Sequence, residues 1–211
     1  MKPVIVGVGG ISGSGKTTLA KIITNNIANS EIISLDNYYL DLSDITYEER
    51  KKVNYDIPTS LELPLLIEHL ELLKQGKTIS VPIYDFTQHV RTNKTYEVVP
   101  SEVIIFDSIF ISAIPELTAL LDLLIFVDIN PEMAVVRRIR RDIVERGREI
   151  KGILSQLEKT VIPAYRRNII PTKHNADIIV SGENKDVNLL ASMLCSSIEI
   201  LVERKRNNQL D

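Results

Sequence analysis

The sequence predicts a three-layer α/β domain on a parallel sheet, and three observations carry the reading. Short β-branched runs alternate with segments of helical period. The runs lack the polar alternation of a strand exposed on one face, and the first run enters a helix through a glycine-rich turn. The runs fall at residues 4–8, 32–35, 103–106, 123–127 and 177–180. Between them, Leu19, Ile22, Ile23 and Ile27 form one helical stripe. Ser60 is placed to cap a helix that stops before Gly76, and Asn130-Pro131 opens a helix running towards Gly147. Leu190, Met193, Leu194, Ile198 and Leu201 mark a last helix. One stretch, about 77–99, breaks the alternation. There Ile79, Val81 and Ile83, then Tyr96 and Val98, have the period of two expected of an antiparallel hairpin standing off the main sheet. The chain is read as one domain, 1–211, carrying that hairpin and a basic helical lid at about 137–150.

Composition excludes several classes. A net charge of −3 gives no general attraction to nucleic acid or anionic lipid, so anion binding must rest on local clusters. With 44% hydrophobic and 25% charged residues, neither a disordered nor a fibrous chain is expected. Cys195 is alone, which excludes an intramolecular disulfide and a multi-cysteine metal site and fits a reducing cytoplasm. The opening "MKPVIVGVGG" has no signal-peptide core. The nearest approach to a membrane span, "FISAIPELTALLDLLIFV", is interrupted by Pro115, Glu116 and Asp122.

The glycine-rich turn reads "GISGSGKT" at 10–17 and matches G-x-x-x-x-G-K-[ST] between a strand and a helix. In such a P-loop, backbone N–H groups from Gly10, Ser12, Gly13, Ser14, Gly15, Thr17 and Thr18 curl around phosphate oxygens. Lys16 reaches the outer phosphates and the Thr17 hydroxyl meets Mg²⁺. The loop implies that a nucleoside triphosphate binds, and leaves open which reaction that binding serves. Two acidic residues narrow the chemistry. Asp36 ends "IISLD" and Asp107 ends "VIIFD", and in a parallel sheet both ends fall beside the loop, where they converge on the metal with Thr17. Asp36 is assigned as the base that takes a proton from an attacking hydroxyl, and Asp107 as a residue orienting Mg²⁺.

The third element is "RRIRRDIVERGR" at 137–148. Asp142, Glu145 and Glu149 interleave with its arginines and argue against a nucleic-acid stripe. Arg137 and Arg140 suit a solvated face. Arg146 and Arg148 flank Gly147 and are expected to swing over the phosphates, neutralising charge and excluding water. The other chemistry-bearing residues cluster in "NYDIPT" at 54–59 and "YDFTQHVR" at 84–91. Taken alone, Tyr84, Phe86 and His89 serve equally to pack the hairpin onto the domain.

With those motifs in view, the whole chain resembles the uridine kinase (uridine–cytidine kinase) family. "SLDNYY", "NYDIP", "GKTISVPIYDFTQHVR", "LIFVD", "RRIRRDIVERGR", "ILSQ" and "PTKHNADIIV" occur in the family's order and at nearly its spacing. The resemblance implies that Asp36 is the catalytic aspartate, assisted by Lys16 and Arg141, with Tyr39 near the acceptor. It implies that Asp56 and Arg138 grip the ribose hydroxyls and that Tyr55, Tyr84 and Phe86 wall the pyrimidine. His89 then meets the base's exocyclic group, Gln156 lies near the acceptor, and Arg141, Arg146 and Arg148 surround the phosphates. A tetramer is also implied. Independently, a carboxylate such as Asp56 would repel a phosphorylated acceptor but accept two hydrogen bonds from a neutral diol.

The reading is therefore a kinase that moves the γ-phosphoryl group of ATP or GTP, with Mg²⁺, to the 5′-hydroxyl of uridine or cytidine. Two alternatives are weighed. One is a kinase of another small alcohol, such as a different riboside or pantothenate. Its motive is that Ile57 and Thr59 stand where the family reads His and Asp; a further departure, Asp107-Ser108 where it reads Glu-Gly, is expected to let the shorter Asp107 hold Mg²⁺ through water. Ile57 and Thr59 are expected to lie beside the sugar, and Thr59 to leave its pocket wetter. The other is a non-catalytic nucleotide-binding regulator, but Asp107 is followed by "SIF" rather than D-x-x-G, and "ENKDV" lacks the N-K-x-D order.

Overall fold

In the computed structural model, which describes residues 2–207, β1 (Val4–Gly9) is buried at every position. The phosphate loop comes next, then α1 (Lys16–Asn26) and β2 (Ser30–Ser34). A 3₁₀ turn, Leu35–Tyr38, leads to the single turn α2 (Tyr47–Arg50), capped reciprocally by Thr46 and Glu49. Then come α3 (Leu63–Lys74), the strands β3 (Ile79–Asp85) and β4 (Val90–Val98), β5 (Val103–Asp107), α4 (Pro115–Thr118) and β6 (Leu123–Asp128). Next are α5 (Pro131–Val144) and α6 (Ile150–Gln156). The helical course continues through two π turns, Leu157–Val161 and Tyr165–Ile169, on either side of α7 (Ile162–Ala164). The strand β7 (Ile178–Ser181) and the helix α8 (Val187–Asn207) complete the described chain.

The main sheet runs in the order β2-β5-β1-β6-β7, every pairing parallel. Side chains alternate across it, so Val4, Val6, Val8, Ile105, Ile125 and Val127 join one core with Leu19, Ile23, Leu194 and Ile198 from α1 and α8. Ile5, Ile33, Ile104, Phe106, Leu124 and Phe126 join the other with Leu66, Leu70 and Leu73 from α3. Apolar burial on both faces explains the missing polar alternation. Because Val8 and Ser34 both pair with Asp107, the ends of β1, β2 and β5 meet at one edge of the sheet.

Several expectations need correction. Ser60 does not cap α3: it lies in a 3₁₀ turn and donates to the Ile57 carbonyl, while the N-cap is Glu62. Met193 is exposed, and the buried stripe of α8 is Ala191, Leu194, Cys195, Ile198 and Val202, with Leu190 and Leu201 half-buried against it. The hairpin forms its own two-stranded sheet but does not stand off, since Ile79, Val81, Tyr84 and Val98 pack into the core beneath α3. Its register shifts between Pro82 and Tyr84, so Tyr84 turns inward where a strict period of two would place Ile83. Residues 137–144 of the expected lid belong to α5. Among the described residues no helix is long and apolar enough to cross a membrane.

The phosphate loop is held open by backbone conformation. Gly13 has φ +88°, and a Cβ there would stand 2.4 Å from the Ala134 carbonyl oxygen of α5. Gly13→Ala is therefore expected to destabilise the protein by about 1–3 kcal/mol in a urea titration. An unchanged midpoint would show that loop and helix separate freely.

Candidate active site

Lys16 sits in the first turn of α1 with its side chain buried between Asp107 and Asp36. Burial lowers its pKa, although both carboxylates work to raise it. The Thr17 hydroxyl donates to Asp107 Oδ2 at 2.5 Å, and Asp107 Oδ1 is buried without a hydrogen-bond partner among the described residues. Asp36 lies two residues past β2 in the 3₁₀ turn rather than in the strand. Its pKa is raised, first by burial and then by Asp107, against the pull of Lys16. These groups open into one cavity of about 760 Å³, whose lining also includes Ser12, Gly13, Gly15 and Thr18. Gly10 and Ser14 shape the loop from behind and do not line the cavity, and Ser14 Oγ is buried without a partner among the described residues.

On the opposite wall, α5 and the turn after it present arginines around Asp142, which sequence reasoning took only as an acid interleaved with them. Asp142 is fully buried, and Arg141 and Arg148 reach it at 3.0 Å, Arg146 at 3.6 Å and Arg138 at 3.8 Å. The expected swinging lid is therefore docked, by Asp142 below and by Arg146 lying 5.0 Å from the Phe86 ring centroid above. The Arg148 N–H also bonds the Asp142 carbonyl. Arg141 reaches across to Ser12 Oγ at 3.3 Å. Arg137 is not a solvated residue: it lines the cavity and donates to the Gly182 carbonyl at 2.9 Å, whereas Arg140 is exposed. The spacing Arg138-Asp142-Arg146, four and four, was the signal available for Asp142.

The far end of the cavity is aromatic and acidic. Asp56 is buried and receives Arg138 Nη1 at 3.3 Å on Oδ1 and the Thr160 hydroxyl at 3.4 Å on Oδ2. Burial opposes the charge on Arg138, but Tyr165, Asp56 and Asp142 together raise its pKa above the ordinary value. Tyr39 is buried near Asp36 and Asp56, and burial first, then those carboxylates, keep its phenol protonated. Its ring lies 5.5 Å from Tyr55 and 5.2 Å from Tyr84. Phe86 meets Tyr84 edge-on, and His89 stacks on Tyr55 at 5.1 Å. His89 sits at the hairpin turn with φ +51°. Gln156 completes the lining, and Tyr96 joins it without having been foreseen. Two departures, Ile57 and Thr59, do not line the cavity as expected. Ile57 faces a separate surface depression, Thr59 is exposed, and Ser108 Oγ turns away to accept the Phe110 N–H.

A phosphate loop, one carboxylate at a strand end and one in the turn after another strand, and an arginine wall around one cavity define a phosphotransferase of the P-loop class. The chain belongs to the Phosphoribulokinase / Uridine kinase family, whose model matches residues 5–188. It is 46% identical over 188 residues to a uridine kinase of Ligilactobacillus salivarius, covering 87% of this chain and 88% of the relative. It is 43% identical over 208 residues to a uridine kinase of Limosilactobacillus reuteri, covering 96% and 94%. Among solved structures, the phosphoribulokinase from Rhodobacter spheroides matches with a TM-score of 0.64 at 17% identity, covering 87% of this chain and 73% of that one. That likeness is one of fold.

Burial, then Arg148, Arg50 and Arg146, lower the His89 pKa below its ordinary 6.5. Between the folded and unfolded values the unfolded chain binds more protons. This imidazole's share of stability is thus present above 6.5 and is lost as pH falls through the folded value. In an NMR titration, Arg148→Ala should move the His89 pKa upward by removing a cation that opposes protonation; no movement would mean the lid is not docked beside it. Asp142→Asn, which leaves the arginines without their shared carboxylate, should cost roughly 3–5 kcal/mol in a denaturant titration.

Proposed function

We propose that this protein transfers the γ-phosphoryl group of ATP or GTP to the 5′-hydroxyl of uridine or cytidine. The observation that carries the reading is the buried Asp56–Arg138 pair opening into the same cavity as the phosphate loop. A carboxylate and a guanidinium side by side match the two hydroxyls of a ribose, and the stacked Tyr55 and His89 with Tyr84 and Phe86 offer flat apolar surface to a base. The uridine kinases named above support the same acceptor. Another alcohol loses its motive, because Ile57 and Thr59 are away from the cavity.

The residues fit Mg²⁺. Asp107 offers an unpartnered buried oxygen beside the Thr17 hydroxyl, and Asp36 shares the cavity, an all-oxygen set suited to a hard cation. Among the described residues no cluster of three acidic, His or Cys side chains could hold a metal alone, which agrees with a cation held largely by phosphate and water. When bound, Mg²⁺ neutralises charge on the phosphates. Asp36, made more basic than an ordinary carboxyl, accepts the 5′-hydroxyl proton as the oxygen bonds to the γ-phosphorus and the bond to the β-phosphate oxygen breaks. Lys16, Arg141, Arg146 and Arg148 receive the charge on the transferring group. Neutral His89 has one donor and one acceptor nitrogen, so it can meet either the uracil oxygen or the cytosine amine. Tyr39 and Gln156 complete the acceptor contacts. A cytoplasmic home suits the lone free Cys195, and exposed Val136, Val144 and Leu154 on α5 and α6 suit a homo-oligomer such as a tetramer.

Incubation with ATP and Mg²⁺ should convert uridine and cytidine to their 5′-monophosphates, read by phosphorus NMR; transfer to neither would overturn the reading. Asp36→Asn should lower kcat by about 10²-fold or more while nucleotide binding survives. A near-normal kcat would move the base role to Asp107.

A further inference from the structure

One buried hydroxyl joins the two halves of the cavity. Tyr165 Oη donates to the backbone carbonyl of Ser12 in the phosphate loop at 3.3 Å and accepts from Arg138 Nη1 at 3.2 Å. Arg138 Nη1 in turn holds Asp56 Oδ1. The series runs from loop carbonyl to phenol to guanidinium to carboxylate, and among the described residues Arg138 is the one charged partner in hydrogen-bond reach of Tyr165. Tyr165 is itself buried and does not line the cavity, so it acts from behind the wall. Burial raises its pKa, so the phenol keeps the proton that it gives to Ser12.

The local backbone explains the placement. Thr160 and Tyr165 are five residues apart, which in an α-helix sets them about 140° apart around the axis. Here they sit at two π turns flanking Pro163, and the wider turns bring both hydroxyls to the same pair, Thr160 on Asp56 and Tyr165 on Arg138. No motif in the sequence marks either residue.

We propose that Tyr165 is a positioning residue that couples the donor and acceptor sites. When phosphates order the loop, the Ser12 carbonyl is fixed. Tyr165 then fixes the Arg138 guanidinium, and with it the angle at which Asp56 and Arg138 meet the acceptor diol. The nucleotide and the nucleoside therefore strengthen one another's binding. The acceptor half of this statement rests on the function proposed above.

The test is calorimetric. With a non-hydrolysable ATP analogue present, uridine should bind the unmodified protein at least about fivefold more tightly than without it. Tyr165→Phe keeps the buried ring and removes only the hydroxyl. It should lower that coupling factor by about threefold or more, the scale of one hydrogen bond, with the unfolding temperature confirming a folded protein. A coupling factor unchanged by the substitution overturns the proposal. A second arm does not use uridine: the affinity of the ATP analogue alone is compared in the unmodified protein, Tyr165→Phe, Asp56→Asn and the double variant. Asp56→Asn should change nucleotide affinity by a factor that differs about threefold between the two backgrounds, and strict additivity overturns the coupling. Failure of uridine to bind while this second arm succeeds would reject the acceptor and keep Tyr165 as the link.

Discussion

Taking a carboxylate out of water costs several kcal/mol unless cations surround it, and Asp142 has four arginines around it. That requirement organises the working half of the molecule. Arg141, Arg146 and Arg148 are drawn onto α5 and held towards the phosphate loop. Arg138, on the same carboxylate, is held towards Asp56. Two carboxylates, Asp142 and Asp56, among four arginines leave the cluster short of anions, and the cavity beside it is where a triphosphate would supply them. The arginines thus stand preorganised, which lowers the reorganisation needed once phosphates arrive.

The cluster works only because the sheet fixes what faces it. Burial of β1, β5 and β6 on both faces sets their register, and the register brings Thr17, Asp36 and Asp107 to one edge. From the other side, the hairpin is anchored by Ile79, Val81 and Val98, and the shift at Pro82 turns Tyr84 into the cavity. Asn37 ties the turn carrying Asp36 to the hairpin through the Tyr96 hydroxyl and the Tyr84 N–H. The walls of the cavity are therefore parts of one packed body.

The sheet and loop were legible because their signals are local and periodic: unbroken β-branched runs and a glycine pattern between a strand and a helix. Residues placed by tertiary geometry were less so. Tyr84 inverts its side through a bulge that no period of two announces, and Arg137 reads as a solvated charge until Gly182 is brought beside it from a distant loop. Asp142 looked like one more acid among arginines, since its burial depends on how α5 rolls against the core. Thr160 and Tyr165 depend on π turns that an α-helical period misplaces. Ile57 and Thr59 show the converse: a departure inside a motif suggested a changed pocket, but their side chains point elsewhere.

The central claim is that Asp56 and Arg138 form a clamp for a sugar diol within reach of the phosphate loop, and one comparison addresses it directly. The quantity is kcat/KM for uridine against 2′-deoxyuridine, measured in the unmodified protein and in Asp56→Asn. Removing one hydroxyl leaves charged, buried groups unpaired, so uridine should be preferred by about 10²-fold or more, and Asp56→Asn should shrink that preference. Equal use of both sugars by the unmodified protein would mean that the buried pair does not touch the diol, and the account of the acceptor site would fail.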